Sequence, residues 1–223
     1  MRLRLREFRP RTGPHERRVV QPRQPLRHTS LRRPAPVGTL MGDHDGLSRL
    51  AGLFSFAAHS PHTIVHVPLR DGVPPDEGRG PLVDLVLAHG SLGLRASQWP
   101  GLRRRLRRGD GVPLTVRTDE ARTARDAAGL LARQRHTDRL DELRHTVHAS
   151  TFFLFGSRDV FAEAAMSLAR AAGWGPRQKR VSEGQAALVS GLWGLRQPPG
   201  GGHPVEVLVC FKAYPPYAHF RRP

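Results

Sequence analysis

The sequence predicts an α+β protein: a mostly antiparallel sheet with its helices on one face. Three observations predict it. Short runs of strand character recur along the chain, at 62–69, 82–94, 112–118, 150–156, 186–196 and 205–214. Stretches of helical period lie between them. The last third reads strand, helix, strand, strand, an order that suits helices gathered on one side of an antiparallel sheet. A ferredoxin-like fold and two related half-units packed together both fit this order.

Each element has a local reason. In 62–69, Val65 and Val67 fall on one face and His62, Ile64 and His66 on the other. The run 82–94, "LVDLVLAHGSLGL", is almost continuously apolar and reads as a strand buried on both faces. Ser97 is placed to cap a helix over 98–108, with Trp99, Leu102 and Leu106 along one side. Thr118 or Asp119 opens the next helix, to Arg135, with Ala121, Ala124, Ala128 and Leu131 at helical spacing. A further helical stretch is read through Leu140, Leu143 and Val147. "STFFLFG" (150–156) is a strand, and Ser157 caps a helix that Phe161, Ala165, Leu168 and Ala172 hold down and Gly173 stops. The runs 186–196 and 205–214 form a hairpin across a loose Pro/Gly linker.

Composition divides the chain in two. Residues 1–40 contain six prolines, and eleven arginines against Glu7 and Glu16, a net charge of +9. No sustained apolar period is evident there, so the segment reads as a disordered, basic, Arg/Pro-rich tail. Three accounts fit it: a basic arm, a solvated tail, or residues upstream of a true start at Met41. Residues 41–223 then form a single α+β domain. The formal charge of the whole chain is +17. Only Lys179 and Lys212 are lysine, so arginine is partly a default surface residue of a GC-rich coding sequence. One cysteine, Cys210, excludes an intrachain disulfide and suits a reducing compartment. No apolar run reaches membrane-spanning length, and arginines interrupt every apolar pair near the start. A cytoplasmic protein without a membrane partner is expected.

Two His-x-Ser elements adjoin predicted strands: "HGSL", with His89 and Ser91, and "HAST", with His148 and Ser150. They resemble the paired motifs of the two-histidine phosphoesterases, in which two strands each carry His-x-Thr/Ser followed by an apolar residue. The resemblance covers about eight residues, and Thr151 stands where the second motif has its apolar residue. It implies His89 and His148 as acid and base on an RNA end or cyclic phosphate, with Ser91 and Ser150 holding phosphate oxygens. The plain alternative is a helix end at His148 handing over to a core strand.

Other constellations are weaker. His59, His62 and His66 have no carboxylate or cysteine at ligand spacing, and His62 and His66 stand about 13 Å apart along a strand. His145 and His148 lack a third ligand, so no metal is expected. Ser157 is explained as a helix cap, and Asp159 occupies the glycine position of a nucleophile turn. Cys210 sits between apolar neighbours as an inert thiol. "GWGP" and "PPGGGHP" lack the residues of a phosphate-binding loop, and no cofactor is expected.

The strongest feature is the basic helix. Arg103, Arg104, Arg105, Arg107 and Arg108 crowd its polar face, a geometry able to grip phosphates or pair with Asp110, Asp119 and Glu120. The reading is a non-enzymatic binding or regulatory domain that meets an anionic partner such as nucleic acid through this helix. The alternatives are a two-histidine-type phosphodiesterase and a structural partner pairing through an exposed strand edge.

Overall fold

The first seven strand residues, "RLRLREF", overturn the expectation of a loose tail. Alternation of arginine with leucine is the period of a strand with one wet face, and Leu3 and Leu5 are buried while Arg2, Arg4 and Arg6 are exposed. Average composition hid this, because a one-sided strand needs an apolar residue only at every second position. In the computed structural model, which describes residues 1–12, 15–70, 80–134, 143–192, 195–196 and 206–215, residues 1–40 supply five strands and most of a sixth. They are β1 (Arg2–Phe8), β2 (Arg11–Thr12), β3 (His15–Glu16), β4 (Arg18–Pro22), β5 (Ser30–Leu31) and β6 (Val37–Gly42).

The chain continues with α1 (His44–Ala58), β7 (Thr63–Val67), β8 (Asp84–His89), α2 (Trp99–Arg108), β9 (Val112–Arg117) and α3 (Glu120–Gln134). Then come β10 (Leu143–His148), β11 (Thr151–Gly156), α4 (Arg158–Trp174), α5 (Lys179–Ser182), β12 (Ala187–Leu192), β13 (Leu195–Arg196) and β14 (Glu206–Phe211). The main sheet has the order β13-β10-β11-β8-β7-β4-β1-β9, and a second sheet has the order β12-β14-β6-β5. Both are mixed. The β4–β7, β8–β11, β10–β13 and β6–β14 pairs are parallel. The α+β class stands, but the sheets are less antiparallel than the chain order implied: β4 and β6, from the segment read as a tail, pair parallel with β7 and β14, and β8–β11 and β10–β13 are parallel as well.

The helices do not share one face. α1 and α4 pack on the side of the main sheet that presents Val20, Val65, Leu85, Leu87, Phe152 and Leu154. There Phe54 and Phe161 meet edge to face at 6.1 Å. α1 starts at Asp43, whose carboxylate accepts the Gly46 backbone N–H at 2.8 Å. α4 is also covered by β12 and β14, and its Gly175 end allows Phe211 an approach that any Cβ would block. Among the described helices, α2 lies on the opposite face, over Phe8, Val19, Ile64, Val86 and Phe153.

Several local expectations are corrected. The stretch containing Leu143 and Val147 is the strand β10, not a helix end; Leu140 lies outside the described residues. β10 joins β11 through a two-residue turn in which Ala149 and Ser150 have φ of 48° and 56°. Such a turn has the twist that closes a hairpin. In α3 the buried positions are Thr123, Ala127 and Leu130, while Ala121, Ala128 and Leu131 are exposed. Asp119, not Thr118, supplies its cap, accepting the Arg122 N–H at 2.9 Å. Gly173 does not stop α4, which runs to Trp174. β12 and β14 pair antiparallel as expected, but within the second sheet; the linker between them lies largely outside the described residues.

Candidate functional site

α2 is built to hold its arginines outward. Pro100 sits in its first turn, where the missing N–H is harmless, and Arg105, Arg107 and Arg108 crowd its last turn, where cations favour the exposed carbonyls. A short 3-10 turn, Ala96–Gln98, leads in, so Ser97 is not the cap. Trp99, Leu102 and Leu106 are buried as the spacing predicted. Arg104, Arg105, Arg107 and Arg108 are exposed, and none of them pairs with a carboxylate among the described residues. Glu120 instead meets the Met1 amino group at 2.7 Å, and Asp119 caps α3.

Arg103 differs from its neighbours. It turns inward, donating to the Ala149 carbonyl at 3.3 Å and approaching the Asp84 carboxylate at 3.8 Å. Asp84 is the hub of a buried polar centre that sequence reasoning missed. Its Oδ1 accepts the backbone N–H groups of Leu69 and Arg70 at 3.1 and 3.2 Å. Its Oδ2 accepts from Arg70 Nε at 3.0 Å. His66 lies alongside, its Nε2 3.8 Å from Asp84 Oδ2, too long for a hydrogen bond. The His66 Nδ1 meets the Gln21 amide nitrogen at 2.7 Å, which puts the ring proton on Nε2, toward the carboxylate. Trp99 closes the centre, edge to face with His66 at 4.8 Å.

Charge in this centre follows from burial and partners. Burial drives the His66 imidazole below its ordinary range, which the Asp84 carboxylate only partly opposes, so His66 is neutral. Burial works against the Asp84 charge, but the Nε2–H edge of the neutral His66 ring turned toward it, together with the backbone N–H and the charged guanidinium of Arg70, more than offsets burial and holds the carboxyl below its ordinary range. The arrangement is a clamp. It ties the end of β7, the start of β8, the β10–β11 turn and α2 to one carboxylate. One signal was available: an aspartate inside "LVDLVLAH", a run expected to be buried on both faces, needs a paired cation.

The two His-x-Ser elements are kept apart. Thr151 pairs with Asp84 and Gly156 with His89 in the parallel β8–β11 register, and His148 lies opposite Thr151. His148 therefore stands five residues from His89 along the strands, about 17 Å, and on the opposite sheet face. His89 donates to the C-terminal carbonyls of α1, Ala57 and Ala58, at 3.1 and 3.3 Å, and packs against Phe161. Ser91 lies exposed in a 3-10 turn, and His148 and Ser150 are exposed at the hairpin end. No single phosphate reaches both imidazoles.

The remaining candidates are also dispersed. His59 bridges the Ser55 carbonyl and Asp126, at 2.9 and 3.1 Å. His62 is exposed, His66 belongs to the polar centre, and His145 is buried beside Phe152. Among the described residues no group of three or more His, Cys, Asp or Glu side chains is placed to hold a metal ion. Ser157 occupies the N-cap position of α4, and Cys210 is half-buried in β14. Among the described residues no helix is long and apolar enough to cross a membrane. No protein-family model matches the chain, and no curated protein or solved structure matches it.

Proposed function

We propose that the protein is a binding domain for nucleic acid, and that α2 supplies the contact. The observation that carries this is the set Arg104, Arg105, Arg107 and Arg108: exposed, without carboxylate partners among the described residues, and mounted on a helix anchored by Trp99, Leu102 and Leu106. Guanidinium groups in that setting meet phosphate oxygens in forked pairs and release condensed counterions. Arg103 is a positioning residue, because its link to Asp84 and Ala149 fixes the helix on the sheet. The test is fluorescence anisotropy with labelled RNA and duplex DNA across a salt series. The expected result is binding that weakens steeply with salt and is lost when Arg104, Arg105, Arg107 and Arg108 are all replaced by glutamine. Undetectable binding at low salt, or full binding by that variant, would overturn the reading.

A further inference from the structure

We infer that the outer strip of the main sheet, formed by β1 and β9, is a second half of this interface, and that its partner is the sugar–phosphate backbone of a duplex. The inference rests on the reading of α2 as a nucleic-acid contact. α2 covers the sheet over β4, β7, β8 and β11 and reaches β1 only at Phe8. Residues that share the parity of Phe8 point to the same side of the sheet, so Arg2, Arg4 and Arg6 stand on the face that carries α2. All three are exposed. Across the β1–β9 ladder their partners are Arg117, Thr115 and Pro113, all exposed as well.

Charge selects the partner. Arg2 lies directly opposite Arg117, a like-charge pair that disfavours the bare sheet and that an approaching polyanion relieves. None of Arg2, Arg4, Arg6 and Arg117 has an ion pair among the described residues. The nearest carboxylate on the strand, Glu7, points to the other face, where it holds Arg9 and Arg18 at 2.8 Å each. Strand geometry sets alternate arginines about 7 Å apart, a spacing that follows successive phosphates along one strand. On this face the exposed paired positions of β1 and β9 are arginine, threonine and proline; the one aromatic ring of β1, Phe8, is buried beneath α2. Base stacking, the usual grip on single strands, has no platform there. Contact is with the backbone alone and is independent of sequence.

The experiment uses the full chain, a short random-sequence DNA duplex, its separated strand, and phosphatidylserine vesicles. Wild-type protein is expected to prefer the duplex. Replacing Arg2, Arg4 and Arg6 together by glutamine should lower the slope of log K against log salt by about 0.9 for each arginine that meets a phosphate. Arg117→Gln alone should lower it by less, and thermal melting should confirm that each variant folds. Should the triple variant fail to fold, Arg4→Gln and Arg117→Gln carry the test. Unchanged slopes in these variants, with binding lost in the α2 variant, would overturn this inference and leave α2 standing. Tighter binding to the single strand or to vesicles would overturn it too. No binding of wild-type protein to either nucleic acid would remove both readings.

Discussion

Two segments of this chain are made almost entirely of arginine and leucine, and they reach the same end by different periods. "RLRLREF" alternates every second residue and becomes a strand, with Leu3 and Leu5 beneath and Arg2, Arg4 and Arg6 above. "LRRRLRR" repeats its leucines four apart and becomes a helix, with Leu102 and Leu106 beneath. The strand sends its leucines toward α1, while the helix sends its own into the opposite face of the sheet. Both sets of arginines emerge on one side of the molecule. Spacing of the apolar residue, not the fraction of charge, decided which structure formed.

The largest effect should come from removing the strand altogether. A chain begun at Met41 lacks β1 and β4, which lie inside the main sheet, and is expected not to fold. A soluble truncated chain with unchanged far-ultraviolet circular dichroism would return residues 1–40 to the status of a tail. Single substitutions sharpen the same contrast. Leu5→Ala and Leu106→Ala should each cost about 2–4 kcal/mol in urea unfolding; a negligible loss at Leu5 would mean that β1 does not belong to the core.

The clamp beneath α2 should come next. Asp84→Asn is expected to cost about 2–3 kcal/mol, less than a fully buried pair because Arg70 remains partly in water. It also sets the pH response. The His66 pKa is lowered in the folded state, so the unfolded chain takes up that proton first and stability declines as pH falls below about 6.5. The Asp84 pKa is lowered as well, so its contribution is present above about 3.9 and is lost as pH falls through the folded value. His66→Gln should remove the first decline and keep the second; an unaltered profile would show that His66 is not held neutral.

The smallest effects belong to the surface. Ala149→Asn with Ser150→Gly suits the two positive φ angles of the hairpin turn and should raise stability by about 1 kcal/mol, read from the melting temperature. Arg104→Gln should change stability by no more than about 0.5 kcal/mol. A larger loss there would show that this arginine supports the fold and is not free to meet a ligand.

Much of the fold was legible from periodicity. The strands β7, β8, β9 and β11 and the helices α2 and α4 fall close to where the spacing put them, and the faces of β7 are assigned correctly down to His66 and Ile64. Failures came where a second property outweighed the pattern. Proline and charge in residues 1–40 masked a strand of period two. In α3 a buried threonine, Thr123, bonded to Ser55, took a place that an apolar count gave to alanine. Between Leu143 and Val147 the spacing of four satisfied a helix, but His148 to Thr151 made a tight turn that pairs the segment with β11. For the candidate site, the outward arginines of α2 were visible from the sequence, whereas the inward role of Arg103 was not.

By itself, the sequence determined which residues prefer water and at what period, and hence the helix of Arg103 to Arg108 and most of the strands. Only the tertiary structure decided their company. Strand order and register come from contacts between segments far apart in the chain, and no local pattern encodes them. That is why His89 and His148, alike in sequence, stand on opposite faces of the sheet. It is also why Arg2 and Arg107, about a hundred residues apart, share a surface: each leucine row found a different face to bury, and the charge on both was left on the same side.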